Sequence, residues 1–311
     1  MHLPTRRFAA VVAALAIRLT ACGSAAPRLS AGTASTLPGA SPAGSASFLP
    51  VPVSSELAVG NNRVVFGLLD PSGQKSAAAP DRTLTIAYRG PNGESIPAAP
   101  ATFIWAQENV KGVYVGQANF ASAGKWVADF TSAAPGQAPA TVSFSFDVKD
   151  HTSVLAPGDA APSVKTPTLA DVGGDVAKIS TDQNPVKRFY ETSEADALAA
   201  KKPFVLLFAT PKFCQQAVCG PTLDKLKPIA AAHPEMTFIN VEPYELQFKD
   251  GSLQPVLTNG QLTPVEATVA FKLQTEPYLF VVGADGKVSS SFELVFSPEE
   301  LNAAIKAVEA G

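Results

Sequence analysis

The sequence predicts an all-β domain followed by an α/β domain, and three observations support this order. Between residues 50 and 150, short apolar or alternating runs are separated by Gly- and Pro-containing turns, which is typical of β-strands. A Pro- and Gly-rich stretch follows at residues 151–180 and is predicted to be a linker. From residue 181 to residue 311, continuous apolar runs alternate with helical patterns.

Composition excludes several function classes. Hydrophobic residues make up 46% of the 311 residues and charged residues 16%, which indicates a folded chain rather than a disordered one. The net charge of -3, without any run of Lys or Arg, predicts no nucleic-acid partner. Three His and two Met are too few to favour a metal site built from these residues, so we predict no metal and no cofactor.

The first 49 residues have the pattern of a targeting segment and a tether. Arg6 and Arg7 give a positively charged start, and the apolar run at residues 8–17 is too short to span a bilayer. We therefore predict a signal peptide at residues 1–22. Residues 23–49 consist almost entirely of Gly, Ala, Ser, Thr and Pro, so we expect them to form a flexible tether.

The signal peptide ends in Leu-Thr-Ala-Cys at residues 19–22, which resembles the lipobox of bacterial lipoproteins. The resemblance implies that Cys22 is acylated and anchors the protein in the cell membrane at its extracytoplasmic face. Arg18 departs from the pattern, because the apolar run of such signals is normally uncharged. The alternative is an ordinary secretory signal cleaved near Ala21 or Ala25. Both readings predict export.

The all-β domain is predicted from its strands and turns. The strand-like runs lie at residues 63–69, 84–88, 113–115, 126–130 and 142–148. Several short strands over about a hundred residues favour an immunoglobulin-like sandwich. Trp105 and Trp126 are expected in its core, with a ligand platform as the alternative. The domain has no His, no Cys and no Met, so we assign it a spacing or partner-binding role.

The second domain, at residues 181–311, is predicted from elements that follow one another in a regular order. Ser193 and Ser297 have the sequence context of helix N-caps, and Glu300 completes a capping box with Ser297. The predicted order is a helix at 193–201, a strand at 204–209, a cysteine-bearing loop with a helix to about 233, a strand at 236–241, an irregular stretch at 242–262, a helix at 264–273, strands at 277–282 and 288–294, and a last helix.

This order resembles the thioredoxin fold, which has a central mixed sheet flanked by helices. Cys214 and Cys219 lie between the first apolar strand and the next helix, where that family has its reactive cysteine. Pro277 opens the third strand, where the family has a cis-proline facing the cysteine. The resemblance covers residues 181–311 and implies an α/β thioredoxin-like fold for them.

The cysteine segment departs from the family's Trp-Cys-Gly-Pro-Cys. Residues 213–222 read Phe-Cys-Gln-Gln-Ala-Val-Cys-Gly-Pro-Thr, so either Cys214 or Cys219 can occupy the first cysteine position. Five residues of regular helix would separate the Cα atoms by about 8.5 Å, beyond the reach of a disulfide at about 7 Å. Some of the intervening residues must therefore lie outside the helix. The placement with Cys219 first meets this condition, because its helix starts near Cys219.

We predict a disulfide between Cys214 and Cys219. If Cys22 carries lipid, these two of the three cysteines remain, close together in an oxidising compartment. The resemblance implies a thiol–disulfide oxidoreductase in which both cysteines are catalytic and Pro277 seats the partner. Its partners would be the thiols or disulfides of exported proteins.

Two alternatives remain open. The pair could be a structural disulfide in a lipoprotein that only binds or supports other molecules. Copper-handling proteins of the Sco type share the fold and use two thiolates with a distant His. After the signal peptide the sequence has only His151 and His233, which we expect to be solvated residues at a loop and a helix end.

Overall fold

The computed structural model describes residues 47–310, which contain sixteen strands and four α-helices. The strands are β1 (Leu49–Pro52), β2 (Gly60–Leu69), β3 (Thr83–Arg89), β4 (Ser95–Pro100), β5 (Thr102–Gln107), β6 (Lys111–Phe120), β7 (Gly124–Ala133), β8 (Ala140–Val148), β9 (Phe204–Phe208), β10 (Thr237–Val241), β11 (Leu246–Lys249), β12 (Ser252–Pro255), β13 (Leu257–Thr258), β14 (Gln261–Leu262), β15 (Tyr278–Val282) and β16 (Val288–Glu293). The helices are α1 (Glu194–Ala199), α2 (Cys219–Ala232), α3 (Glu266–Ala270) and α4 (Pro298–Glu309). The predicted signal peptide with Cys22, and the predicted tether up to residue 46, lie outside the described residues.

The predicted α/β thioredoxin-like fold class is wrong, because the described chain is mainly β. Its sixteen strands form five sheets, and only 18% of it is helical. Two of the helices, α1 and α3, are only six and five residues long. The stretch at 242–262 was expected to be irregular but contains two hairpins, β11–β12 and β13–β14. The all-β part of the architecture is consistent with the predicted immunoglobulin-like sandwich.

The first eight strands form two four-stranded antiparallel sheets. Their orders are β1-β2-β6-β5 and β4-β3-β7-β8. Side chains along β3 and β7 alternate between buried and less buried positions, as expected when one face of a sheet lies on a core. Aromatic rings from both sheets meet between them, and the Phe66 and Phe130 rings lie 4.6 Å apart in an edge-to-face arrangement.

Trp126 belongs to this core rather than to a ligand platform. Its side chain is fully buried, and its indole N–H donates to the carbonyl oxygen of Ser122 over 3.0 Å. The Phe120 ring packs against it at 4.9 Å. Burying one such ring contributes about 2–3 kcal/mol to the free energy of unfolding, so Trp126 stabilises the sandwich.

A third four-stranded sheet has the order β10-β9-β15-β16. The segment with Cys214 and Cys219 follows its strand β9. β10 runs parallel to β9, whereas β15 pairs antiparallel with both β9 and β16. Every residue of β9 and β15 is buried, which explains their continuous apolar sequences. On one face, Val205 and Leu207 pack with residues of α2 and α4. On the other face, Leu206 packs with residues of α1 and α3.

The helix signals in the sequence place α1 and α4 correctly. Ser193 caps α1 by accepting a hydrogen bond from the N–H of Asp196. The predicted capping box at Ser297 and Glu300 is confirmed, since each side chain accepts from the other residue's backbone N–H. The buried face of α4 includes Leu301 and Ile305, one helical turn apart.

The first sheet of the sandwich packs against the loop that contains Cys214 and Cys219. Val65 and Val115 of that sheet share an apolar cluster with Val218 and Val295. Val218 immediately precedes α2. This contact therefore brings the sandwich against the loop that holds the cysteine pair.

Polar contacts reinforce the same junction. Arg63 of β2 forms a bidentate ion pair with Glu300 of α4, with N···O distances of 2.7 and 3.0 Å. The ammonium group of Lys225 on α2 donates to the carbonyl oxygen of Trp105 over 2.7 Å. Both links place charged side chains in partly buried positions where their hydrogen bonds are satisfied.

Candidate functional site

Cys214 and Cys219 form a disulfide, as predicted. Cys214 lies in the loop after β9, and Cys219 is the first residue of α2. Residues 214–218 are outside the helix, which brings the two Cα atoms to 5.9 Å, within disulfide range. Within this loop Ala217 has a φ of 59°, an uncommon left-handed conformation for a residue with a Cβ. The turn it allows carries the chain from Cys214 back to the start of α2.

The two cysteines differ in exposure. Cys219 is fully buried and belongs to the apolar cluster between the third sheet and the helices α2 and α4. Cys214 is only partly buried. Cys214 is therefore the more exposed residue of the two, although it also packs against this cluster.

The N-terminus of α2 faces the sulfur of Cys214. The backbone N–H of Cys219 donates to Cys214 Sγ over 3.2 Å. An N–H at a helix start has no partner within the helix and lies at the positive end of the helix dipole. This arrangement stabilises a thiolate at Cys214 once the disulfide is reduced.

A carboxylate lies beside the pair. Glu276 is 5% exposed, and one of its oxygens accepts from the backbone N–H of Gln215 over 2.8 Å. Its other oxygen accepts from the hydroxyl of Tyr244 over 2.6 Å. Burial and the neighbouring Glu276 raise the pKa of Tyr244, so this hydroxyl stays protonated and keeps donating. Glu276 also precedes Pro277 across a cis peptide bond.

Sequence reasoning missed Glu276 and Gln215 as parts of the site. Glu276 is separated by 61 residues from Gln215, and only the fold brings them together. Its position directly before Pro277 was the one available signal. Tyr244 falls in the stretch at 242–262, which the sequence predicts to be irregular.

A second buried acid, Glu242, is linked to the cysteine loop through Thr181. Glu242 follows β10 directly, is 8% exposed, and accepts from the backbone N–H of Thr181 over 2.6 Å. The Thr181 hydroxyl in turn accepts from the backbone N–H of Lys212, two residues before Cys214. Burial raises the pKa of Glu242 to about 7, so this side chain changes charge near neutral pH.

The arrangement brings together three side chains that can bind a metal. One donor atom from each of Cys214, Cys219 and Glu276 lies within 4.8 Å of the other two. Neither remaining histidine contributes. His233 follows the last residue of α2, about 20 Å along the helix from Cys219, and its ring contacts Asn302.

A cavity of about 540 Å³ opens between the sandwich and the cysteine loop. Val51 and Gly67 of the first sheet line one side. Gln216 and Val218 of the cysteine loop, with Thr275 next to Glu276, line the other. The lining is mostly apolar, which makes it suitable for an apolar side chain near the disulfide.

Within residues 47–310, no helix is long and apolar enough to cross a membrane. The predicted lipid-bearing Cys22 lies outside this range.

No protein-family model and no curated protein matches the sequence. Among solved structures, a DUF4426 family protein from Pseudomonas aeruginosa is similar at 15% identity and a TM-score of 0.23, over 30% of this chain and 68% of that one. Salmonella alpha-2-macroglobulin reacted with methylamine is similar at 12% identity and a TM-score of 0.24, over 85% of this chain and 15% of that one. TM-scores this low establish no shared fold.

Proposed function

We propose that this protein performs thiol–disulfide exchange on exported proteins through Cys214 and Cys219. The observation that carries the proposal is the difference between the two sulfurs. Cys214 is partly exposed and accepts a hydrogen bond from the N–H at the start of α2, whereas Cys219 is fully buried. An exchange catalyst needs one accessible sulfur that is stable as a thiolate and one protected sulfur that resolves the intermediate.

The proposed oxidation of the pair proceeds in two displacements. The Cys214 thiolate attacks one sulfur of a partner disulfide, forming a mixed disulfide and releasing one partner thiolate, which takes up a proton. Cys219 then loses its proton and attacks Cys214 Sγ, which forms the Cys214–Cys219 disulfide and releases the second partner thiolate. The reverse sequence reduces the pair and oxidises two partner thiols.

We propose that the partner lies as an extended segment in the cavity beside the disulfide. The mixed disulfide would fix the partner's cysteine at Cys214, and the adjoining partner residues would extend along the cavity, whose wall includes Gln216, two residues from Cys214. Val51 and Val218 would contact an apolar side chain of that segment. Pro277, which directly precedes β15, would help to seat it.

We propose that the protein is anchored in the cell membrane, on the basis of the predicted signal peptide and the resemblance of residues 19–22 to a lipobox. Acylation of Cys22 would place the cysteine pair at the extracytoplasmic face of the cell membrane, among exported thiols and disulfides. Labelling of growing cells with a radioactive fatty acid checks this, because Cys22→Ser removes the label if Cys22 is the lipidated residue.

Trapping of the mixed disulfide tests the proposed chemistry. In the full-length protein, Cys219→Ser removes the resolving sulfur, so this variant should accumulate covalent adducts with exported proteins on non-reducing gels. Cys214→Ser, the matched control, leaves only the buried sulfur and should trap few or none. A structural disulfide would give no adducts in either variant, and that result would overturn the proposal.

A further inference from the structure

We infer that the reduced form of this site binds one Zn²⁺ ion through Cys214, Cys219 and Glu276. The inference starts from the donor atoms, which lie within 4.8 Å of one another. Two thiolates and a carboxylate form a ligand set that Zn²⁺ accepts in proteins. The partial exposure of Cys214 leaves room for water as the fourth ligand.

The surroundings of Glu276 provide an independent argument. This carboxylate is 5% exposed, yet none of the ion pairs among the described residues involves it. A buried anion without a cation beside it is costly, and a bound Zn²⁺ would supply the missing positive charge.

The carboxylate is also held in position for a metal. The backbone N–H of Gln215 and the hydroxyl of Tyr244 each donate to a different oxygen of Glu276. Each oxygen therefore keeps a lone pair free for coordination. Hydrogen bonds of this kind orient metal ligands, and their loss weakens metal binding.

Binding would depend on the redox state of the pair. In the disulfide, the sulfur atoms are bonded to each other and carry no thiolate charge. Reduction by two electrons from a phosphine or a dithiol yields two thiols, and Zn²⁺ displaces their two protons on binding. Bound zinc would then prevent the thiolates from attacking a partner disulfide. This regulatory role rests on the proposed function, whereas the binding itself requires only that the disulfide can be reduced.

From the carboxylate of Glu276 we also predict which metal the site prefers. A carboxylate oxygen suits Zn²⁺ but is poorly matched to Cu(I), which is satisfied by two thiolates. Loss of the carboxylate should therefore weaken zinc binding and leave Cu(I) binding unchanged.

The test uses full-length protein reduced with a phosphine under anaerobic conditions and titrated with Zn²⁺ against a chromophoric chelator. We expect one Zn²⁺ for the reduced protein and none for the oxidised protein. Glu276→Gln should weaken Zn²⁺ binding at least about tenfold and change Cu(I) binding less than about twofold. Glu245→Gln removes an exposed carboxylate from the neighbouring segment and should change neither.

Mass spectrometry of alkylated protein first verifies that Cys214 and Cys219 are both reduced. With both thiols free, absence of zinc binding overturns the inference, and so does unchanged zinc binding in Glu276→Gln. Normal Cu(I) binding by that variant shows that its cysteine loop is intact. Because phosphine reduction bypasses exchange, failure of the exchange proposal would leave this result interpretable.

Discussion

The backbone N–H of Cys219 donates to the sulfur of Cys214 over 3.2 Å, so the start of α2 faces the sulfur of its disulfide partner. Cys219 itself is fully buried. The pair thus consists of a partly exposed cysteine whose sulfur faces the helix N-terminus and a cysteine that is fully buried. The placement of α2 agrees with the expectation that the helix starts near Cys219.

The first prediction concerns alkylation of the reduced protein. Because Cys214 is accessible and faces the helix N-terminus, we expect iodoacetamide to modify it at least about tenfold faster than Cys219. Mass spectrometry of peptides from timed quenching measures both rates. Equal rates, or faster modification of Cys219, would show that the exposure difference does not control reactivity.

The second prediction concerns a partner segment in the cavity. Val51→Glu places an unpaired charge among apolar walls, so exchange with an unfolded protein substrate should slow by about tenfold. Exchange with glutathione, which is too small to occupy the cavity and the disulfide together, should change little. Val59→Glu is the control, because Val59 is 43% exposed and does not line this cavity. If Val51→Glu slows both substrates equally, the cavity does not bind the partner.

The third prediction concerns pH and stability. Burial raises the pKa of Glu242 from 4.5 to about 7, so the folded state binds this proton more tightly than the unfolded state does. The resulting stabilisation is complete below about pH 4.5 and is lost as the pH rises through about 7. Glu242→Gln mimics the protonated form and should raise the free energy of unfolding at pH 8 by about 3 kcal/mol, and at pH 5 by less than about 1 kcal/mol.

Urea denaturation of wild type and variant at pH 5, 6.5 and 8 measures this difference. Glu194, whose pKa burial also raises to about 7, is present in both proteins, so the variant should keep a smaller pH dependence. An identical pH dependence in the two proteins would mean that Glu242 does not titrate in this range.

Local signals in the sequence predicted several elements of this structure. The capping residues Ser193 and Ser297 mark the starts of α1 and α4, because cap preferences depend on a few adjacent residues. The argument that residues between Cys214 and Cys219 leave the helix is also local, since it rests on helical rise and disulfide reach.

The hairpins at 246–262 were missed although their turn signals were present. Asp250 and Gly251 join β11 to β12, and Asn259 and Gly260 join β13 to β14. All four residues have positive φ, between 51° and 79°, as a two-residue hairpin turn of type I′ requires. The strands they join are only two to four residues long, too short for a clear alternating pattern.

The fold class and the carboxylate of the site depend on long-range contacts. The α/β prediction gave weight to helices that proved short and did not count these hairpin strands. Glu276 meets the cysteine loop only through the packing of the third sheet. The 61-residue separation between Gln215 and Glu276 does not indicate how close they lie in the folded chain, so their contact could not be predicted from the sequence.

The most direct test of the central claim is the reduction potential of the Cys214–Cys219 disulfide in the full-length protein. Equilibration against glutathione or dithiothreitol buffers, followed by alkylation and mass spectrometry, measures it. An exchange catalyst should show a potential between about -120 and -270 mV, and the value would indicate the preferred direction of exchange. A potential below about -300 mV is typical of structural disulfides and would contradict the account.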